Sequence, residues 1–187
     1  DWLAVNDAWG AAEGSCLDPI LELLLWQITE GNEVAGTNRA VITQKNKGVL
    51  ERLQAAYRAR FSGSGHIRGP HRDGVYRLEI ESKAYRTHIE REYGFSWGKK
   101  SADKRLPAAV FSLDLESTAR ALSVLFEAEG HVEPTTIELT TASVVMAHQI
   151  QALLRRLGIV AAIRRKIAYA SNTEKKTKRP YYRLSIT

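Results

Sequence analysis

Two stretches decide how this chain folds: LLLWQITEG at Leu23–Gly31 and LSVLFEAEG at Leu122–Gly130. Each is an apolar helical run closed by Glu-Gly, and the sequence around each one repeats. The first copy opens with PILELLLWQITEGNE (Pro19 to Glu33) and the second with ARALSVLFEAEGHVE (Ala119 to Glu133). A polar turn follows each, then a short alternating strand: AVITQ (Ala40–Gln44) and IELTT (Ile137–Thr141). Next come amphipathic helices, GVLERLQAAYRARF (Gly48–Phe61) and VVMAHQIQALLRRLG (Val144–Gly158), within which LQAAYR and IQALLR align residue for residue. The last strands are VYRLEIES (Val75–Ser82) and YYRLSIT (Tyr181–Thr187). Strict alternation marks them as half-buried strands. Tyr76, Leu78 and Ile80 face one way, and Arg77, Glu79 and Glu81 the other. Each copy therefore reads helix–strand–strand–helix–strand–strand. The first copy adds a helix, SKAYRTHIEREYGF, with Ser82 as its N-cap.

The organisation follows. Residues 1–18 have no clear period and read as an N-terminal extension. Residues 19–100 are the first half and 109–187 the second, whose counterpart of the added helix would lie past Thr187. Between them, GKKSADKRLP (Gly98 to Pro107) is polar, basic and closed by proline, so 101–108 reads as a linker. SNTEKKTKRP (Ser171 to Pro180) reads as a basic hairpin loop. The chain starts at Asp1 and not Met, as a piece of a longer polypeptide does.

Composition removes whole classes. With 187 residues, 44% of them hydrophobic, the chain can bury a real core. Its one cysteine, Cys16, excludes an internal disulfide and a cysteine-cluster zinc site. No apolar run approaches the roughly 18 residues of a membrane span, and the start does not read as a signal peptide. The expectation is an intracellular globular protein, cytoplasmic in a prokaryote or organellar in a eukaryote. Twenty-seven Lys and Arg against 21 Asp and Glu give a net charge of +6, a weak pointer to nucleic acid.

The Glu-Gly endings carry the chemistry. A carboxylate at a helix C-terminus meets the negative end of the helix dipole, and a following glycine is an ordinary left-handed C-cap. One such site is most simply a solvated helix end. At matching points of a repeat, a pseudo-twofold axis would bring both helices, and both carboxylates, side by side. Close carboxylates repel unless a cation lies between them. Mg²⁺ suits such a site, since it takes one or two carboxylates plus water and phosphate oxygens.

On these residues the chain resembles the LAGLIDADG homing endonucleases, the single-chain members with two motifs. VITQK (Val41–Lys45) resembles the strand after the first motif. KRLPAAVFSLDLESTARALSVLFEAEGHVE resembles the entry to the second half in archaeal and intein-borne members. The resemblance implies an α+β fold of two αββαββα halves, with curved antiparallel sheets that form a DNA-binding saddle. It implies a monomer with internal pseudo-twofold symmetry acting on double-stranded DNA, with no membrane partner. Glu30 and Glu129 would be the catalytic metal-binding pair, with Gly31 and Gly130 beside them. The metal would be Mg²⁺ or Mn²⁺, with Ca²⁺ binding without supporting cleavage, and the chemistry metal-assisted phosphodiester hydrolysis leaving short 3′ overhangs. Gln44 matches a position near catalytic water, with Thr141 as its repeat partner. Lys99 or Lys100 would supply the basic residue found after the third helix, Lys100 being carried forward as catalytic. Glu127 reads as a structural or water-side residue and not a ligand, and His131 either reaches phosphate or is simply exposed.

Phosphate and base contacts fall to the strands and turns that the fold aims at DNA. In the first half these are Arg39, Lys45, Arg68 and Arg72, with His71, on the turn side, and Arg77 on its strand. In the second they are Arg164, Lys166 and Arg183 on strands, and Lys175, Lys176, Lys178 and Arg179 in the loop. Glu79, Glu81 and Glu138 work against them, as acceptors for cytosine or as a brake on non-specific affinity. The sequence departs from the family at the helix interface. Leu25 and Thr29, and Val124 and Ala128, stand where small residues are usual, and Glu replaces Asp as ligand. The longer Glu would offset a wider helix spacing. Three functions compete: a site-specific endonuclease of intron or intein setting, a non-cleaving relative (an RNA splicing maturase or DNA-binding regulator), and an unrelated domain for protein contacts.

Overall fold

The structure, a computed structural model, describes residues 17–71, 73–169 and 178–187. Arg72, Lys175 and Lys176 lie outside the described residues, as does Cys16.

Helix α1 (Pro19–Glu30) starts where the sequence says it should. Pro19 needs no amide partner in the first turn, and Asp18 caps it by accepting from the Ile20 amide at 2.8 Å. The chain then enters β1 (Gly31–Glu33), β2 (Arg39–Gln44), α2 (Lys47–Arg60), β3 (Ser64–Arg68) and β4 (Tyr76–Glu81). Helix α3 (Lys83–Tyr93) follows, with Ser82 accepting from the Tyr85 amide, so the expected cap is present. Short turns at Ser101–Asp103 and Ala108–Ser112 lead to α4 (Leu115–Glu129), capped by Asp114 on Ser117. Then come β5 (Gly130–Glu133), β6 (Thr136–Thr141), α5 (Val144–Arg156), β7 (Ala162–Ala168) and β8 (Arg179–Ile186).

Two antiparallel sheets result, β1-β2-β4-β3 and β5-β6-β8-β7, so the two halves share one topology. The repeat extends to single side chains. Gln54 on α2 donates to the Gly65 carbonyl at 2.8 Å, and its counterpart Gln151 on α5 donates to the Ala161 carbonyl at 2.7 Å. Asn46 caps α2 and Ser143 caps α5.

One continuous core runs through both halves. In α1, Leu23, Leu24, Leu25 and Trp26 are each fully buried. A helix apolar on every side needs cover on every side, and α1 has it: α4 packs on one flank, α2 and β2 on others. Each such side chain contributes about 1.5–3 kcal/mol of apolar burial. Leu25 and Val124, at the positions where the family prefers small residues, are both buried. The Thr29 hydroxyl turns onto its own helix, donating to the carbonyls of Leu25 and Trp26.

Three expectations change. Gly31 and Gly130 are extended, with φ of −114° and −79°, not left-handed. What requires glycine is space. A Cβ on Gly31 would lie 2.6 Å from the Gln27 carbonyl oxygen, and one on Gly130 would lie 2.2 Å from that of Phe126. Each helix runs straight into a strand, and only a residue without a side chain allows that fold-back. Leu17 and Asp18, which the pattern leaves to the extension, belong to the packed body: Leu17 is buried and Asp18 also accepts from the Tyr93 hydroxyl at 2.8 Å. Arg68 and Arg179 lie on strands β3 and β8, not on the turn and loop expected for them, because both ladders extend further than the alternation suggests.

Candidate active site

Glu30 and Glu129 end α1 and α4, the two helices that pack together at the centre of the molecule. Burial raises the pKa of both carboxyls. Glu129 is pushed up to about 7, by burial first and then by the negative charge of Glu30, with Lys104 pulling the other way. Glu129 keeps solvent contact, yet the protein crowded around its carboxylate outweighs that contact. Two carboxyls whose charged form is disfavoured, one of them also repelled by the other, form a site prepared for positive charge.

Part of that charge is already present. Lys104 Nζ donates to the carbonyls of Ile28 at 2.7 Å and Gly31 at 2.8 Å, closing the C-terminal end of α1. Burial lowers its pKa, against the attraction of Glu33, Glu129 and Glu30. The same segment grips the second half. The Lys104 carbonyl accepts from Ser143 Oγ at 2.7 Å, and the Leu106 amide donates to Gln149 Oε1 at 2.8 Å. The stretch read as a solvated linker is therefore a packed strap from the end of the first motif to α5. Lys99 and Lys100 are exposed, and the basic side chain beside the carboxylates is Lys104. Its one signal in the sequence was its place at the head of the segment resembling the second-half entry.

Gln44 sits at the end of β2, with its Oε1 accepting from the Lys45 amide at 2.6 Å. Gln44 Oε1 also lies 3.4 Å from the Asn46 amide, and Thr141 makes the corresponding bond in the second half, accepting from the Ser143 amide at 3.2 Å. Glu127 is exposed, and His131 lies in the open 3.3 Å from Glu133. No group of three His, Cys, Asp or Glu side chains able to hold a metal occurs among the described residues. The donor set still fits a hard divalent ion that keeps water and phosphate ligands, which asks for two carboxylates and not a cage. Of the two glycines expected beside the metal pair, Gly31 has its carbonyl engaged by Lys104.

The sheets carry the basic residues. Ala40, Ile42, Leu78 and Ile80 are buried beneath the first sheet. Register puts Arg39, Arg68 and Arg77 on its other face, with His66, Glu79 and Glu81. Arg164, Lys166 and Arg183 share the outward face of the second, where Glu138 binds Arg183 at 3.2 Å. Lys45, Lys178 and Arg179 are exposed at the strand ends.

A family model described as a LAGLIDADG-like domain matches residues 116–187. Over 92% of its length the chain superposes on 84% of the homing endonuclease I-DmoI, solved with DNA and Ca, with a TM-score of 0.58 at 16% identity. The chain carries a LAGLIDADG-like domain in its second half. Its fold is the LAGLIDADG fold, with two antiparallel four-stranded sheets. Other I-DmoI structures similar to it hold DNA with Mg or Mn. It is equally similar to WhiA from Thermatoga maritima, with a TM-score of 0.57 at 15% identity over 95% of this chain and 53% of that one. Two sequence relatives come from Methanocaldococcus jannaschii. A glutamine–fructose-6-phosphate aminotransferase is 34% identical over 140 residues, which are 72% of this chain and 12% of the relative. A replication factor C small subunit is 25% identical over 170 residues, 91% of this chain and 9% of the relative. The chain thus spans about a tenth of each of these relatives.

Proposed function

We propose that this protein is a site-specific DNA endonuclease of the homing type. It binds a long, asymmetric duplex across both sheets and hydrolyses one phosphodiester bond in each strand, leaving short 3′ overhangs. The observation that carries this is the Glu30–Glu129 pair at the joined helix ends, raised in pKa and set between two arginine- and lysine-bearing sheets. Glu30 and Glu129 would hold the divalent ion, Mg²⁺ or Mn²⁺. When bound, that ion supplies charge for water activation and for the leaving oxygen. Gln44 orients from the strand end, and Lys104 neutralises charge on the first-motif side. One chain provides both carboxylates, so it acts as a monomer, inside the cell that contains its target.

Two relatives with unrelated names each share only about a tenth of their length with the chain. That supports a module carried inside host proteins, the intein-borne setting. The non-cleaving reading has its own support: an ammonium already occupies the Gly31 carbonyl, and the chain is similar to WhiA. Cleavage of a randomised duplex library in Mg²⁺ separates the two. Cleavage by the native protein, lost in Glu30→Gln or Glu129→Gln while binding persists, is the expected result. Sequence-selective binding with no cleavage at any Mg²⁺ or Mn²⁺ concentration would replace the endonuclease with a binding protein.

A further inference from the structure

Glu79 stands at the centre of the outward face of the first sheet, on the inner strand β4. Its Oε2 takes Arg39 Nη2 at 2.9 Å from β2 and Arg68 Nε at 3.0 Å from β3. Exposure is graded across the three: the Glu79 side chain is 17% exposed, Arg39 41% and Arg68 64%. The carboxylate is therefore the base of the group and the guanidinium groups are its tips. That single oxygen faces both cations and draws the two guanidinium groups together.

The way Arg68 is held matters. Arg68 approaches the carboxylate most closely through Nε, in an ion pair that leaves its Nη1–Nη2 edge without a hydrogen-bond partner among the described residues. That edge is the pair of parallel donors that fits O6 and N7 of guanine in the major groove. A tethered arginine has also already given up the rotamer freedom that a loose one loses on docking. Among the described residues the second sheet has no such arrangement. Glu138 holds only one arginine, Arg183, and through Nη1, which breaks up the corresponding edge; its other partner is the Ser185 hydroxyl.

We propose that Arg39, Glu79 and Arg68 form a guanine-reading triad on the first half-site, with Glu79 as the positioning residue that aims Arg68. This rests on the DNA-binding reading above and adds to it the base that is read and the residue that fixes the reader. The acidic residue sharpens sequence preference at the expense of general affinity.

The test is binding selection from a duplex DNA library with a randomised core, in EDTA so that no strand is cut. The native protein is expected to select guanine strongly at one position of the first half-site. Arg68→Lys, which keeps the charge but not the paired edge, reduces discrimination there about tenfold or more and leaves the salt dependence unchanged. Glu79→Gln reduces the same discrimination while tightening binding to unselected DNA, two opposite movements that misfolding does not produce. Glu79→Asp, which keeps the charge but draws it back, loosens the preference without the general gain. Native preference retained in Glu79→Gln or in Arg68→Lys overturns the triad. A native protein that selects no sequence overturns the DNA-binding reading itself, visible before any variant is made.

Discussion

Where the first motif carries Gln27, the second carries Phe126, and the two live in different surroundings. Gln27 is completely buried. Its Oε1 accepts from the Tyr85 hydroxyl and its Nε2 donates to Glu33, each at 2.8 Å, so α3 is tied to the motif helix and to β1. Tyr85 packs edge to face against Tyr57 and Phe61, which stack on each other. Phe126 instead borders a cavity of about 410 Å³ with Leu122, Leu154, Leu157 and Ile159. Leu154 is the repeat counterpart of Tyr57. No described residues stand over the second half as α3 stands over the first. The comparison teaches that one helix design serves two burials. A buried glutamine is tolerated where every polar atom finds a partner, and a partly exposed phenylalanine serves where none is offered.

Exchanging the two residues tests this most severely. Gln27→Phe puts a ring into a full core and strands the Tyr85 hydroxyl. The expected loss is about 3 kcal/mol or more, from overpacking plus an unmade buried hydrogen bond. The reciprocal Phe126→Gln is expected to cost about 1.5 kcal/mol or less, since only part of the ring's burial is given up. Urea unfolding of both variants gives the two numbers, and equal losses would break the contrast.

The glycines form the next pair. Alanine at either position must push the strand off the helix end, at about 1–3 kcal/mol. Gly130→Ala should cost more than Gly31→Ala, because the closer approach is at Phe126. Thermal midpoints measured side by side check the order, and the proposed cleavage should fall with them as the carboxylates move.

The smallest effect is in pH. Glu129 is raised from the ordinary 4.5 to about 7, so between these values the folded chain holds a proton that the unfolded chain has released. The contribution of Glu129 to stability without metal then falls as pH rises from about 4.5 to 7, and is constant on either side. Glu129→Gln should remove that slope, while Lys104→Met, which withdraws the cation opposing the shift, should carry it to higher pH. Chemical denaturation at stepped pH in EDTA reads both. Divalent binding should tighten over the same interval as the carboxyl ionises.

Much of the fold was legible. The paired Glu-Gly endings, the alternation of Tyr76, Leu78 and Ile80, the Ser82 cap and the aligned LQAAYR and IQALLR are local signals, and each marks an element the structure contains. The candidate site was legible only in its carboxylates. Lys104 looked like one more charge in a polar linker, because nothing nearby in sequence shows that the strap lies across the end of α1. Glu79 looked like an acid opposing its neighbours, because its arginines come from two other strands.

By itself the sequence determined periodicity, hence which residues form helix or strand and which face each buries, since those depend on neighbours a few positions away. It also determined that there are two copies, and so two acids at matching helix ends. The tertiary structure alone decided which polar group meets which: Lys104 on Gly31, Gln27 on Tyr85, and Arg39 and Arg68 on Glu79. Such pairings depend on strand order and helix packing across tens of residues. A hydrogen bond made at 2.8 Å leaves no period in the chain from which to read it.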